Sequence, residues 1–432
     1  MTFQVQELGT VCTYINRGAA PAYTEADDLL VLNQKCVRNG RVSYSEARYT
    51  DPTKKKVLTD RFLHELDILV NSTGVGTLGR VGQILQLLKP MTVDSHVTIV
   101  RADSNIVDPL YLGYVLRSSQ PSIENLAEGS TGQTELSRAQ LRELPIPLPS
   151  REEQQAIASI LGTLDDKIEL NRRMNETLEE MAQALFKSWF VDFDPVRSKI
   201  EGRQPVGMDD ETAALFPDSF EDSTLGEIPK GWTARALSDV VEVNPRRSLS
   251  KGESAPHLDM KSMPIKGHYP AELTERDFGS GTKFTRGDTL LARITPCLEN
   301  GKTAFVDFLN DGQVGWGSTE YIVLRPKPPL PMEYAYYLAR SESLRTYAIQ
   351  NMVGSSGRQR VPAQCFDSYF VVVPSEDVAL RFGETAAQLM SKIRANHKQS
   401  ATLADIRDTL LPKLLSGEVR VGEAEEIVKE IV

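Results

Sequence analysis

Gly129-Ser130-Thr131-Gly132-Gln133 and Gly354-Ser355-Ser356-Gly357-Arg358 are one short turn written twice. From that turn the register runs on without a gap. Pro149 falls on Pro374, Leu164 on Leu389, Lys167-Ile168 on Lys392-Ile393, Asn171 on Asn396 and Leu185 on Leu410. Upstream it holds with small shifts. Asp67-Ile68-Leu69-Val70 lies over Asp288-Thr289-Leu290-Leu291, Tyr111 with Arg117-Ser118 over Tyr334 with Arg340-Ser341, and Phe3–Val11 over Trp232–Val240. Two copies at so long a period make a duplicated domain rather than a solenoid. A pseudo-twofold molecule follows.

Each copy reads as a globular unit, residues 1–150 and 229–375, followed by a long tail. The units are α+β. Short β-branched or aromatic runs, such as Val97–Val100 and Tyr321–Leu324, are bounded by Gly, Pro and Asp. One helix per unit is expected, near Pro109–Ser118 and Met332–Leu344. Pro145, Pro147 and Pro149, with Pro374 in the second copy, close the units because proline blocks helix continuation.

The tails predict two long helices. Ser150 is a good N-cap with Glu152 and Glu153 in the first turn, and Ser375 with Glu376-Asp377 repeats the device. Apolar positions alternate in steps of 3 and 4, a heptad seam. In the first helix it runs through Leu161, Leu164, Ile168, Asn171, Asn175, Leu178, Ala182, Leu185 and Trp189. In the second it runs through Ala386, Leu389, Ile393, Asn396, Ser400, Leu403, Arg407, Leu410 and Leu414. The two helices are expected to pair antiparallel as a coiled coil, with Asn171 and Asn396 at equivalent seam positions able to set register. The expected layout is therefore 1–150, a spacer and docking helix 151–199, an acidic linker 200–228, 229–375, and a C-terminal helix and tail 376–432.

The chain of 432 residues carries 49 Lys+Arg against 59 Asp+Glu, a net charge of −10, which as a single number argues against a nucleic-acid partner. By segment the argument reverses. Residues 151–211 hold 8 basic and 14 acidic side chains, and 212–228 hold four acids and no base. The acid sits on the helix and linker. Residues 229–375 carry 18 basic against 15 acidic side chains, and 1–150 carry 15 against 16. No run of about 18 apolar residues occurs, so no membrane helix is expected. The Met1–Thr10 start shows no secretory signal. Cys12, Cys36, Cys297 and Cys365 are scattered, which fits neither disulfides nor zinc and suggests a reducing cytoplasm.

Four longer stretches carry a family resemblance. They are Gly226-Glu227-Ile228-Pro229-Lys230-Gly231-Trp232, preceded by Leu215-Phe216-Pro217-Asp218; Pro147-Leu148-Pro149 with Glu153-Gln154-Gln155-Ala156-Ile157; Leu185-Phe186-Lys187-Ser188-Trp189-Phe190-Val191-Asp192-Phe193; and Leu410-Leu411-Pro412-Lys413-Leu414-Leu415-Ser416-Gly417-Glu418. With the duplication, they make the whole chain resemble the specificity subunit of a type I restriction–modification system. Two departures stand out. The first unit opens on Phe3 without the Ile-Pro-x-Gly-Trp lead, and the second helix starts Asp377-Val378-Ala379 in place of Glu-Gln-Gln. The resemblance implies two target-recognition domains, each reading half of a split duplex-DNA site. The helices would set the spacer and dock two methyltransferase subunits, with restriction subunits as further partners. S-adenosylmethionine would sit on the partners, and this chain would bind no cofactor. A 40-residue helix at ~1.5 Å per residue spans about 60 Å, against about 34 Å between half-sites one turn apart.

No catalytic chemistry is legible. Gly74-Val75-Gly76-Thr77-Leu78-Gly79 matches Gly-x-Gly-x-x-Gly, but Arg80-Val81-Gly82-Gln83 follows it, so a turn between strands is expected rather than a dinucleotide loop. Asn244-Pro245-Arg246-Arg247 is not the Asn-Pro-Pro-aromatic motif of amino-methyltransferases. This disfavours a single-chain modifying enzyme with fused recognition domains. The five histidines form no metal-spaced pair, and His96 reads as structural. The DNA-facing candidates are then loop cations: Arg17, Arg38, Arg41, Lys54, Lys55, Lys56, Arg61 and Arg80 in the first unit, and Arg246, Arg247, Lys251, Lys261, Lys266, Lys283, Arg293, Arg358 and Arg360 in the second. Arginine can fork onto guanine, whereas lysine positions phosphate. The repeated glycine-serine turns could offer backbone N–H groups to phosphate.

Overall fold

In the computed structural model the chain is α+β. The structure describes residues 3–38, 40–128, 134–355 and 357–430. The Gly129–Gln133 turn and Ser356 lie outside them. The chain forms two compact units, Met1–Ile168 with Ala401–Val432, and Glu169–Ser400.

The first unit is built on a six-stranded sheet ordered Cys12–Arg17, Val97–Ala102, Ile68–Asn71, Val81–Gln83, Gly40–Val42, Val37–Arg38. A second sheet runs Met91–Val93, Leu29–Leu32, Arg48–Thr50, Tyr23–Thr24. Strand periodicity of two decides which residue faces which layer. Leu69, Val97 and Ile99 join Leu30, Leu32 and Met91 in one core. Ile68, Val70 and Val100 face the other way, onto the helix Pro109–Ser118. That helix starts where expected: Asp108 accepts from the N–H groups of Leu110 and Tyr111, and Pro109 needs no donor.

The second unit repeats the plan. Val241–Val243, Tyr321–Pro326, Thr289–Ala292 and Thr303–Phe305 form one sheet, and Thr274–Asp277, Ser254–Leu258, Val314–Gly317 and Thr282–Thr285 the other. Leu290, Ala292, Tyr321 and Val323 face the inter-sheet core, while Leu291, Ile322 and Leu324 face the helices. In each copy a terminal strand pair closes the fold, Gln4–Glu7 with Pro145–Leu148 and Thr233–Ala236 with Phe370–Val373. The Pro-rich closing segments are strands.

The long helices run Arg151–Phe190 and Glu376–Ser416. Each contributes to both units. Leu161 and Leu164 share a core with Leu403, Leu410 and Leu414 in the first unit. Ala182, Phe186, Trp189 and Phe190 share one with Val378, Phe382, Ala386 and Met390 in the second. Of the remaining seam positions, Ile168 packs against the first of these cores, and Leu185 and Leu389 against the second. Ile393 is buried, whereas Leu178 is half-buried. The seam asparagines are buried. Asn171 donates to Gln399 Oε1 at 2.9 Å and Ser400 Oγ at 3.3 Å, and Asn396 to Asn175 Oδ1 at 2.8 Å.

Three local differences from the sequence reading, and the passage of one helix through a glycine, have physical causes. The first long helix stops at Phe190 rather than running to 199. Phe193 adopts φ 57°, its ring packs 5.8 Å from Trp232, and a new helix starts at Asp194. The expected helix Met332–Leu344 ends at Arg340, because Ser341 turns extended and its Oγ caps a separate helix, Glu342–Gln350. The second long helix runs through Gly383, where any Cβ would lie 2.5 Å from Pro331 Cβ, so the glycine permits close packing. Finally, the Ser150 cap forms, with Glu153 N donating to Ser150 Oγ and Ser150 N to Glu153 Oε2, whereas Ser375 Oγ is buried without a partner.

Candidate nucleic-acid interface

One device recurs in both units at the entrance to the central strand. Asp67 is buried, accepts from the N–H of His64, and holds Arg101 through two bonds of 2.8 and 2.7 Å. Asp288 is equally buried, accepts from the N–H of Thr285, and holds Arg325 at 2.7 Å. Each aspartate closes a turn and ties it to the exit of the neighbouring strand. The duplicated Asp-Ile/Thr-Leu motif is thus structural, and it fixes the loops that follow.

The first of those loops is the glycine-rich 74–79 stretch. It passes into the strand Val81–Gln83, not into a helix. Buried Asn71 donates to Gln34 O at 2.9 Å and Thr77 O at 3.0 Å, and Arg80 donates to Gly76 O. Gly74 has φ 109°, with Gln34 Oε1 2.3 Å from where a Cβ would stand. The loop is therefore pinned onto the Gln34 segment, with Val75 exposed.

The candidate cations fall into two groups. Several are tied up within their own unit. Arg17 pairs with Glu135, and Arg41 donates to Asp165 O. Arg247 pairs with buried Asp288, and Arg360 clasps Glu320 with bonds of 2.7–2.9 Å. Lys283 donates to Leu249 O, and Arg293 is half-buried with its Nε lacking a partner. Lys54, Lys55 and Lys56 are exposed together on one turn, and Arg38, Arg246, Lys251, Lys261, Lys266 and Arg358 are exposed singly. In the second unit Arg358 stands on the short hairpin closed by Val353 and Arg360, which is tied to Thr295 by bonds of 3.1 and 3.2 Å to Gln359.

The structure also assembles a polar strip in the first unit that the sequence did not mark. His96 is exposed, not an interior residue, and its Nδ1 lies 2.7 Å from Thr73 Oγ1. Thr73 pairs with Glu135, Glu135 with Arg17, and Arg138 with Asn16. On the other side of His96, the Arg48 guanidinium lies 3.6 Å over the Tyr23 ring. These residues come from strands and turns far apart in sequence, and no local pattern announces them.

Elsewhere chemistry is sparse. Burial first pushes the Cys12 thiol up to about 12 and that of Cys365 to about 11, so neither is a ready nucleophile. Among the described residues no group of His, Cys, Asp and Glu could hold a metal, and no helix is long and apolar enough to cross a membrane.

Comparison with known proteins agrees with this picture. Residues 2–180 match the family model of the type I restriction modification DNA specificity domain. The HindI specificity subunit of Haemophilus influenzae is 26% identical over 400 residues, covering 82% of this chain and 86% of that protein. The MjaIX specificity subunit of Methanocaldococcus jannaschii is 25% identical over 356 residues, covering 79% and 76%. The solved S subunit from M. genitalium has the same fold, with a TM-score of 0.56 and 18% identity over 95% of this chain and 96% of that one.

Proposed function

We propose that the chain is a type I restriction–modification specificity subunit, the non-catalytic DNA-reading component of such a complex; its residues 2–180 match the family model of the specificity domain, and two specificity subunits are 25–26% identical to it over most of its length. Each duplicated unit reads one half of a split, asymmetric duplex site. The observation that carries this is the duplication of the frame without duplication of the face. Asp67–Arg101 and Asp288–Arg325 recur, yet the position of His96 in one copy is Glu320 in the other, and the exposed cations differ. Two readers of one construction and unlike surfaces suit two unlike half-sites.

The long helices, of 40 and 41 residues, support a role as an antiparallel coiled-coil spacer and as the docking surface for two methyltransferase subunits. These partners would carry S-adenosylmethionine, in the cytoplasm, with restriction subunits joining the same assembly. A near-neutral reader predicts weak binding alone and strong binding in the complex. A gel shift with duplexes carrying the split site, with and without the methyltransferase partner, tests this. Sequence preference appearing or sharpening on partner addition is expected, and equal binding to scrambled duplex in the complex overturns it. The isolated chain incubated with S-adenosylmethionine and DNA should transfer no methyl group.

A further inference from the structure

We propose that the first unit reads bases along the strip Tyr23–Arg48–His96, framed by the engaged Arg17 and Arg138, with Arg48 and His96 as its specificity-determining pair, an assignment that rests on the half-site reading above.

Two hollows lie along this strip. One, of about 410 Å³, is bordered by Tyr23, Arg48, Asp94 and His96. The other, of about 530 Å³, is bordered by Arg17, Arg61, Glu135 and Arg138. His96, Thr73 and Glu135 link them.

Arg48 is exposed, and its guanidinium carbon lies 3.6 Å from the centre of the Tyr23 ring. The ring contact restrains the fork, and among the described residues Arg48 makes no ion pair. That contrasts with Arg101, Arg247 and Arg360, whose forks are engaged by carboxylates. A planar fork that no carboxylate engages is the group that recognises a purine edge bidentately.

His96 is fixed as firmly. Its backbone N–H goes to Asp94 Oδ1 at 2.9 Å and its Nδ1 to Thr73, leaving Nε2 without a partner among the described residues. Asn71 and Gly74 hold the surrounding loops in place. The frame is thus built before anything binds.

Phosphate is the poorer ligand for the first hollow. Asp94 and Glu46 border it together with Lys35 and Arg48, so the hollow has no excess of positive charge to draw an anion. Mixed donors and acceptors match base edges, which present both. The lysines 54–56 and other exposed cations are left to the backbone.

The test uses the full chain co-expressed with its methyltransferase subunits, with methylated motifs mapped by single-molecule sequencing and duplex affinities measured by anisotropy. For Arg48→Ala and His96→Ala the expected result is relaxed base preference at one or two positions of one half-site, and a ~10–100-fold weaker preference for the parental duplex. The other half-site should stay intact, which also shows that the chain folds and assembles. Arg48→Lys, which keeps charge but loses the fork, should relax the same position. An unchanged motif in all three variants overturns the assignment and leaves the half-site reading standing. A parent complex with no split motif overturns both.

Discussion

Asp165 on the first long helix and Arg407 on the second meet at 2.5 Å, Oδ1 to Nη1, although 242 residues separate them. Both are largely buried. Arg407 stood in the apolar seam on spacing alone, and the carboxylate explains how a cation is tolerated there. The cluster extends to Arg117 at 3.1 Å and the Tyr114 hydroxyl at 3.0 Å, both on Asp165 Oδ2. Arg407→Ala should destabilise the first unit by about 2–3 kcal/mol. That falls below the ~3–5 kcal/mol of an orphaned buried charge, because Arg117 and Tyr114 remain. Chemical denaturation of the variant checks the value, and a change under about 0.5 kcal/mol would show the contact to be incidental.

The duplicated aspartates should act locally. Asp67→Asn removes the charge that holds Arg101, at a cost of ~3 kcal/mol, and loosens the loops of the first unit. Asp288→Asn does the same for Arg325 in the second. Each variant should lose discrimination at one half-site while keeping the other. Motif mapping of the two variants in parallel would show either opposite halves affected or, contrary to expectation, the same half.

The register of the helix pair should depend on its polar step. Asn171 and Asn396 hydrogen-bond across the pair through Gln399, Ser400 and Asn175. A buried asparagine fixes alignment at some expense of stability. Replacing both by leucine should raise the unfolding midpoint and produce a mixture of spacer lengths in the recognised site. A single unchanged spacer would place the register elsewhere.

What the sequence made legible was what recurs or is periodic. The duplication, the seam, the cap at Ser150 and the turn at Gly74–Gly79 all follow from local rules. The reading strip did not, because Tyr23, Arg48, His96 and Arg138 are brought together only by sheet order. Likewise, nothing near Arg247 or Arg360 tells that Asp288 and Glu320 engage them. Net charge misled for the same reason, since it counts paired and unpaired cations alike. The stop at Phe190 was hidden because an apolar ring at residue 193 extends the pattern even as it leaves the helix to fill the aromatic core.

A pH dependence should come from His268, which is fully buried in the second unit. Its Nε2 is 3.2 Å from Asp307 Oδ2 and its Nδ1 3.7 Å from Glu179 Oε2. Burial opposes its charge, but the two carboxylates outweigh burial and raise it to about 9. Burial likewise opposes ionisation of Glu179, and the neighbouring His268 ring and a hydrogen bond from the Tyr336 hydroxyl outweigh it, holding that carboxyl below its usual range. The folded imidazole is therefore more basic than the unfolded one. Its stabilisation is full below about pH 6.5 and is lost as pH rises through about 9. The unfolding midpoint should fall between pH 6.5 and 9.5, and His268→Gln should flatten that slope. An equally steep fall in the variant would assign it to other groups.

The two long helices start with the same residue in unlike states, and this gives a paired test. Ser150 Oγ accepts from Glu153 N, and Glu153 reaches back to Ser150 N, a reciprocal cap. Ser375 Oγ, at the equivalent place, is buried without a partner. Ser150→Ala should cost ~1 kcal/mol through the lost cap. Ser375→Ala removes a buried hydroxyl that bonds to nothing, so it should be neutral or slightly stabilising. Denaturation midpoints of the two single variants decide the matter. Equal losses would mean that Ser375 caps its helix after all, and that the helix starts are as closely duplicated as the sequence around them.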